Sequence, residues 1–272
     1  MKLSCHLSTW GNEYITGLDQ VSALGFHGCE VFTRMAFEYE DRIEDFRELL
    51  DSRGMILSGL HGGGRFGEQS FRRDIVNYCA RVARFLATVG SDRMILSPTG
   101  PRTNYTRENF NVAAQTLCEV ADVCYEFGVV PCLHPHLQTD IQNEAEIEII
   151  LELTASHHLQ LCIDTAHQAI AGVDLGQLIT RYQNRIGYLH VKDVSPSFVE
   201  LIREDRPENL PVNSLFCEVG AGILDFPDLK QRLEAIQYDG WLTVELNQSG
   251  ITPFESTAIS RDYLVQKLGL RQ

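Results

Sequence analysis

The sequence has no excess of positive charge, and this limits the partners that the protein can bind. Lysine and arginine together number 23, aspartate and glutamate number 37, and the formal net charge is −14. A protein that binds nucleic acid through its phosphates needs a basic surface, and anionic membranes attract the same charge. We therefore expect neither nucleic acid nor a membrane among the partners.

Other signals are also missing. The sequence contains no run of about 18 uncharged apolar residues that could span a membrane, and its first residues lack the apolar core and cleavage site of a secretory signal. The eight cysteines form no C-x-x-C pair and several lie in apolar runs, which indicates reduced core thiols rather than a zinc ribbon. We expect a cytoplasmic protein, and the sequence leaves open whether it forms a homo-oligomer.

Short apolar runs alternate with longer amphipathic segments along the whole chain. Eight repeats of strand and helix in 272 residues favour a closed (β/α)8 barrel, or TIM barrel, built as one domain over 1–272. The one long irregular stretch, 194–224, follows the seventh strand and so belongs on the catalytic face. The predicted strands are 3–8, 28–32, 55–60, 93–97, 129–134, 159–163, 186–191 and 241–246, and the predicted helices are 13–25, 40–52, 70–89, 106–127, 143–156, 174–183, 226–237 and 255–268.

Polar side chains that can bind metals stand at the carboxyl ends of these strands, where barrel enzymes carry their active sites. The alternation of side chains along a strand turns Asp164, His190 and Glu245 toward the barrel axis. Mixed carboxylate and imidazole ligands fit Mn²⁺, Mg²⁺, Co²⁺ or Zn²⁺. Each residue alone has an ordinary structural explanation, but their occurrence at three successive strand ends predicts one divalent metal ion.

Four segments resemble the sugar phosphate isomerase/epimerase group of the xylose-isomerase-like TIM barrel superfamily. Together with His134-Pro135-His136, they look most similar to inosose (2-keto-myo-inositol) dehydratases, and hydroxypyruvate isomerases and ketose 3-epimerases share much of the same frame. The resemblance implies a metal-dependent isomerase or lyase that acts through an enediolate on a small polyhydroxylated keto-sugar or keto-cyclitol. The segments are Asp164-Thr165-Ala166-His167, His190-Val191-Lys192-Asp193-Val194, Gly220-Ala221-Gly222-Ile223-Leu224-Asp225-Phe226 and Trp241-Leu242-Thr243-Val244-Glu245.

The resemblance also implies roles for individual residues. Asp164, His190 and Glu245 would be three of the four ligands of one divalent ion, with manganese among the candidates. His167 would contact a substrate oxygen, and Lys192 would lie behind the ligands or bind substrate. The remaining pocket residues would be Glu30, His61, His134 and His136.

The fourth ligand is where this sequence departs from the family, which usually places a glutamate just after strand five. Gln142 falls at the expected position, and Glu144 or Asp140 would replace it if the register differs. A glutamine carbonyl oxygen can coordinate a hard cation, as amides do for calcium, but it cannot remove a proton. We therefore assign Gln142 as the fourth ligand and Glu245 or a histidine as the base, which favours a lyase or one-base isomerase over a two-base epimerase.

Three other classes stay open at this point. A relative of the apurinic endonucleases would share the barrel but would need further zinc ligands and a basic DNA groove. A sugar-binding barrel without catalysis is compatible with Gln142. A metal-free phosphate-sugar barrel would cradle a phosphate in the segment 61–65, although three glycines after a strand more often form a tight turn.

Overall fold

A computed structural model describes residues 1–155, 157–203 and 212–270. Eight parallel strands close into a barrel in the order β1-β10-β7-β6-β5-β4-β3-β2, so the predicted single-domain TIM barrel is confirmed. Two short strands, β8 (Asp193–Val194) and β9 (Phe216–Cys217), pair antiparallel outside the barrel. The barrel strands are β1 (Lys2–His6), β2 (Gly28–Phe32), β3 (Ile56–Gly64), β4 (Arg93–Pro98), β5 (Val130–Leu133), β6 (Gln160–Asp164), β7 (Ile186–Val191) and β10 (Trp241–Val244).

Helices surround the barrel, and all eight predicted segments contain one. Three short helices were not predicted, namely α2, α7 and α9, because each is too short to show a helical apolar period. None of the helices in the described ranges is long and apolar enough to cross a membrane. The helices are α1 (Tyr14–Ala23), α2 (Thr33–Phe37), α3 (Ile43–Asp51), α4 (Arg72–Val89), α5 (Arg107–Tyr125), α6 (Glu144–Leu153), α7 (Thr165–Ile170), α8 (Leu175–Arg181), α9 (Ser197–Arg203), α10 (Phe226–Ala235) and α11 (Pro253–Asp262).

The stretch 194–224 is less irregular than the sequence indicates. It holds α9, a 3-10 turn at Val212–Leu215 and β9, while residues 204–211 lie outside the described part of the chain. The Asp193 carboxylate accepts hydrogen bonds from the main-chain nitrogens of Val194, Gly220, Gly222 and Leu224 at 2.8–3.1 Å. A Cβ on Gly222 would lie 2.2 Å from the Val194 carbonyl oxygen, so only glycine permits this approach. Asp193 thus ties the segment to the end of β7.

The glycine-rich segment after His61 is not a tight turn, and that expectation was wrong. Residues up to Gly64 continue β3 and pair with β4, with Gly63 opposite Ser97. A Cβ on Gly63 would lie 2.1 Å from the Ser97 carbonyl oxygen. The glycines therefore allow two strands to approach closely, and this brings Ser97 to the mouth of the barrel.

The barrel interior is filled in layers that become more polar toward the carboxyl ends of the strands. Cys162 packs with Ile95, Cys132 and Tyr188 inside the barrel, while its sequence neighbours join the core outside it, as the alternation predicts. The Tyr188 hydroxyl lies 2.8 Å from the Ser58 hydroxyl and accepts a hydrogen bond from Thr243 at 2.7 Å. Two residues beyond Cys132, Cys162, Tyr188 and Thr243 come ionisable side chains of the site.

Candidate active site

Four buried side chains converge at the mouth of the barrel, on the side formed by β5, β6, β7 and β10. His134 follows β5, Asp164 ends β6, His190 lies in β7 opposite Asp164, and Glu245 follows β10. One nitrogen or oxygen of each lies within 4.8 Å of the others. The measured separations include 3.3 Å from His134 Nε2 to Asp164 Oδ2 and 3.0 Å from His190 Nδ1 to Glu245 Oε2. We call these four residues the ligand cluster.

His190 is arranged as metal-binding histidines usually are. Its Nε2 donates to the Glu30 carboxylate at 2.9 Å and 3.1 Å, so Nδ1 keeps a lone pair when the ring is neutral. This buried Nδ1 has no hydrogen-bond partner within the described residues, and Glu245 Oε2 lies 3.0 Å from it. A histidine that binds a metal typically donates its other N–H to a carboxylate. The orphaned nitrogen beside two carboxylates therefore fits a divalent cation.

The electrostatics of the ligand cluster also favour a positive charge. Burial opposes ionisation of Asp164 and Glu245, yet Lys192 and the neighbouring histidines hold the pKa of each carboxyl well below its usual range. Burial likewise opposes protonation of His190, but Glu30 and Glu245 raise its pKa to about 10. The buried Lys192 ammonium lies 2.8 Å from Glu245 Oε2 and 3.0 Å from Asp164 Oδ2. The site is thus a pocket of ionised carboxylates that attracts cations.

A second group of the same residue types lies on the β1–β3 side, and we call it the hydrogen-bonded cluster. It consists of His6, Glu30 and His61. His6 Nδ1 accepts the main-chain N–H of Ser8 at 2.9 Å, so a neutral His6 carries its proton on Nε2. A protonated nitrogen cannot bind a metal. His6 Nε2 instead faces His61 Nδ1 at 3.2 Å and Glu30 Oε1 at 3.5 Å, and the cluster is explained by hydrogen bonding.

His136 and His167 face each other with their ring centroids 3.9 Å apart, and their hydrogen bonds define their tautomers. His136 Nδ1 donates to the Leu137 carbonyl oxygen at 2.8 Å, whereas His167 Nδ1 accepts the Leu137 N–H at 3.3 Å. Burial lowers the pKa of His136 to about 4 and that of His167 well below its usual value. His136 Nε2 therefore has a free lone pair, and His167 Nε2 carries a proton.

In the described part of the chain, no hydrogen bond or ion pair joins the Gln142 side chain to the ligand cluster. Gln142 lines the open cavity at the mouth, and its Oε1 accepts the main-chain N–H of Gln138 at 2.7 Å. Asp140 accepts two hydrogen bonds from Thr103, and Glu144 begins α6. His134, which we expected to touch substrate, takes the fourth place in the ligand cluster instead. His134 lies one residue beyond the end of β5 at Leu133 and meets the other three side chains there, while Gln142 as the fourth ligand stays a prediction.

The other predicted residues divide into two groups. His61, His136 and Glu245 line a cavity of about 1610 Å³ that opens to solvent at the mouth. Glu30 is fully buried behind His190, so it supports the ligand cluster rather than lining the pocket. The sequence reasoning missed His6 and Ser97. His6 ends β1, and the same inward alternation would have found it, but Ser97 carries no signal of its own in the sequence.

A sequence model of the xylose isomerase-like TIM barrel family matches residues 18–266. The chain belongs to this family. It is 25% identical over 270 residues to the inosose dehydratase of Geobacillus thermodenitrificans, covering 93% of this chain and 89% of that protein. The inosose dehydratase of Lacticaseibacillus casei is 29% identical, over 94% of this chain and 90% of that protein. Family membership at this coverage makes the chain an enzyme of the isomerase, epimerase or lyase kind.

Among solved structures, the fold is similar to that of the IolI protein, whose crystal structure contains a zinc atom. The TM-score is 0.80 at 17% identity, over 98% of this chain and 97% of that one. This likeness shows the fold of the barrel, and the chemistry of the site rests on the contacts described above.

Proposed function

We propose that this protein is a divalent-metal-dependent enzyme that acts on a keto-sugar or keto-cyclitol, in the manner of an inosose dehydratase. The observation that carries the proposal is the ligand cluster at the barrel mouth, with His190 Nδ1 unpartnered beside two ionised carboxylates. The substrate class is supported by inosose dehydratases that align with 93% and 94% of the chain. The open cavity next to the cluster can admit a small polyhydroxylated molecule.

The ligand cluster would hold the ion through two imidazole nitrogens and two carboxylate oxygens. This donor set suits Mn²⁺, Co²⁺ or Zn²⁺ better than Mg²⁺, which prefers oxygen ligands and retained water. When bound, the ion supplies the positive charge that stabilises the oxyanion of an enediolate. Glu30 holds His190 in orientation, and Lys192 stabilises the ionised forms of Asp164 and Glu245.

Two histidines of this chain are placed to move the protons. His136 Nε2, with its free lone pair, removes the proton on the carbon next to the carbonyl group, and the C–H electron pair passes into the enediolate. His167 Nε2 donates its proton to the β-hydroxyl, so that the C–O bond breaks and water leaves. Because the rings are 3.9 Å apart, both transfers occur on one face of the substrate.

This arrangement also bears on the competing reactions. Epimerisation at a single carbon by a two-base route needs groups on opposite faces of the substrate, whereas His136 and His167 stand together. Glu245, the base favoured by the sequence, accepts a hydrogen bond from Lys192 and is better suited to bind the ion. The geometry therefore favours dehydration or one-base isomerisation over ketose 3-epimerisation.

The test is an assay of the purified protein with 2-keto-myo-inositol in deuterated water, with and without chelator. We expect loss of water from the substrate, abolished by chelator and restored by Mn²⁺ or Co²⁺. Turnover that persists after the chelator has removed all divalent ions would contradict metal dependence. If fructose or another ketose is epimerised without dehydration, the protein is a ketose 3-epimerase. If hydroxypyruvate is converted, it is a hydroxypyruvate isomerase. Binding without any exchange of deuterium into substrate would indicate a sugar-binding barrel.

A further inference from the structure

A row of hydrogen-bonding groups runs inside the barrel from the main chain of Ser8 to the ligand cluster. His6 accepts from Ser8 at 2.9 Å and faces His61 Nδ1 at 3.2 Å. His61 Nε2 lies 2.7 Å from Ser97 Oγ, and Ser97 Oγ lies 3.0 Å from His134 Nδ1. The side chains in this row are buried, with at most 8% exposure. Each side chain in the row thus has a neighbouring polar group of the row within 3.2 Å.

The hydrogen bonds of the row can be arranged in two orders. In the first order, every group donates its hydrogen bond toward the ligand cluster. His6 Nε2–H donates to His61 Nδ1, and His61 Nε2–H then donates to Ser97. The Ser97 hydroxyl donates to His134 Nδ1, which leaves the proton of His134 on Nε2. That proton is donated to Asp164 Oδ2, 3.3 Å away. In this order His134 cannot bind a metal through Nε2.

Glu30 permits a second order. Its Oε1 lies 3.5 Å from His6 Nε2 and 3.6 Å from His61 Nδ1, which is too far for a good hydrogen bond, but its negative charge stabilises a proton on both nitrogens. The Ser97 hydroxyl then donates to His61 Nε2 and accepts from His134 Nδ1–H. His134 Nε2 keeps its lone pair and can act as the fourth ligand. Both orders contain four protons, so the row can change from one to the other without net uptake or release of protons.

We propose that Ser97 and His61 are positioning residues that set which ring nitrogen of His134 carries the proton, and thereby decide whether His134 binds the metal. Ser97 decides between the two orders, because its hydroxyl has one proton and can donate it either to His61 Nε2 or to His134 Nδ1. A metal ligand whose other N–H is held by a fixed acceptor is bound more tightly, and loss of such an acceptor typically costs about 10–100-fold in metal affinity. This inference rests on the proposed function, since it assigns its fourth ligand.

The test combines Zn²⁺ titration with ¹⁵N NMR of the histidine rings, which reports the protonated nitrogen directly. In the Zn²⁺-loaded wild type we expect His134 to be protonated at Nδ1 and bound through Nε2. Ser97→Ala should weaken Zn²⁺ binding by about 10–100-fold and should give His134 a mixture of tautomers. Ser97→Thr keeps the hydroxyl and should retain the wild-type affinity and tautomer. His61→Leu removes the acceptor of the Ser97 proton and should act like Ser97→Ala, which provides a second variant if Ser97→Ala does not fold.

Each other outcome has a definite meaning. A Zn²⁺-loaded wild type with His134 protonated at Nε2 would overturn the inference while leaving the metal site intact. Wild-type affinity and an unchanged His134 tautomer in folded Ser97→Ala or His61→Leu would overturn it as well. If the wild type binds no divalent ion, the proposed function itself fails, and the inference fails with it.

Discussion

The two buried clusters at the barrel mouth are built from the same residue types but differ in what they can bind. The ligand cluster on the β5–β10 side and the hydrogen-bonded cluster on the β1–β3 side both place histidine nitrogens about 3–4 Å from a carboxylate. The difference lies in the hydrogen bond that the second ring nitrogen of each histidine makes. His6 accepts a main-chain N–H there, whereas His190 donates to Glu30. Whether a histidine can bind a metal is thus decided by its neighbours on the side away from the ion.

Glu30 belongs to the hydrogen-bonded cluster and connects it to the ligand cluster. Its carboxylate accepts from His190 Nε2 and also lies near His6 and His61. The hydrogen-bonded cluster therefore serves as the support of the ligand cluster. The variants below change residues of the two clusters and of the neighbouring pocket one at a time.

The largest effect is expected for Asp164→Asn. Replacing the ionised oxygen by an amide should reduce Mn²⁺ binding by at least two orders of magnitude and abolish turnover, because a hard cation prefers carboxylate ligands. Asparagine keeps the oxygen that accepts from Ala166 and His167 at the start of α7, so the fold should survive. Calorimetric titration with Mn²⁺ measures the affinity.

The matched control is Asp174→Asn, the same change at the capping residue of α8, whose side chain accepts from Gln177. It should bind Mn²⁺ as the wild type does. Equal losses in both variants would show that the effect comes from helix capping and not from a ligand.

The next largest effect separates the base from the ligands. His136→Gln should lower kcat by about 10²–10⁴, the usual loss of a general base, with unchanged Mn²⁺ affinity. Glu245→Gln should lose both turnover and affinity. His157→Gln, at a partly exposed histidine paired with Asp122, is the control and should change neither. If Glu245→Gln keeps its metal and loses turnover while His136→Gln stays active, Glu245 is the base, as the sequence favoured.

A moderate effect is expected when the connection between the clusters is broken. Glu30→Gln should weaken Mn²⁺ binding by about 10–100-fold, because His190 loses the carboxylate that orients its ring. Glu38→Gln removes a carboxylate that accepts from Tyr14 and belongs to neither cluster, and it should leave the affinity unchanged. Wild-type affinity in Glu30→Gln would show that the two clusters are independent.

The smallest effect is expected at Gln142. Its Oε1 already accepts from the Gln138 main chain, so Gln142→Glu should change Mn²⁺ affinity by less than about threefold, within the range of a weak surface electrostatic change. Titration of both proteins measures this. A large gain in affinity, together with new 3-epimerase activity, would show that residue 142 binds the metal and would favour the two-base epimerase reaction.

The sequence predicted the fold well, because the barrel repeats one pattern eight times. β7 was predicted at the bounds that it has, and β2 likewise. The errors arose where close backbone contact decides the structure. Gly62 to Gly64 look like a turn in the sequence but continue β3, since the approach of Ser97 fixes their conformation.

The candidate site was predictable where it depends on alternation along a strand. Asp164, His190 and Glu245 follow from that rule, and His6 could have been found in the same way. The same rule turns His134 inward, two residues after the inward Cys132, but the resemblance directed the prediction of the fourth ligand to Gln142. His136 was predicted as a pocket residue, but its tautomer and the contacts of Ser97 could not be predicted, because they depend on which atoms meet across the barrel.

The proposed metal site is tested most directly by anomalous diffraction from crystals of the protein soaked with Mn²⁺ or Zn²⁺. We predict a single peak bound at about 2.0–2.3 Å by the four residues of the ligand cluster, with His134 coordinating through Nε2 and His190 through Nδ1. A peak among His6, Glu30 and His61, or no peak at the mouth of the barrel, would contradict it.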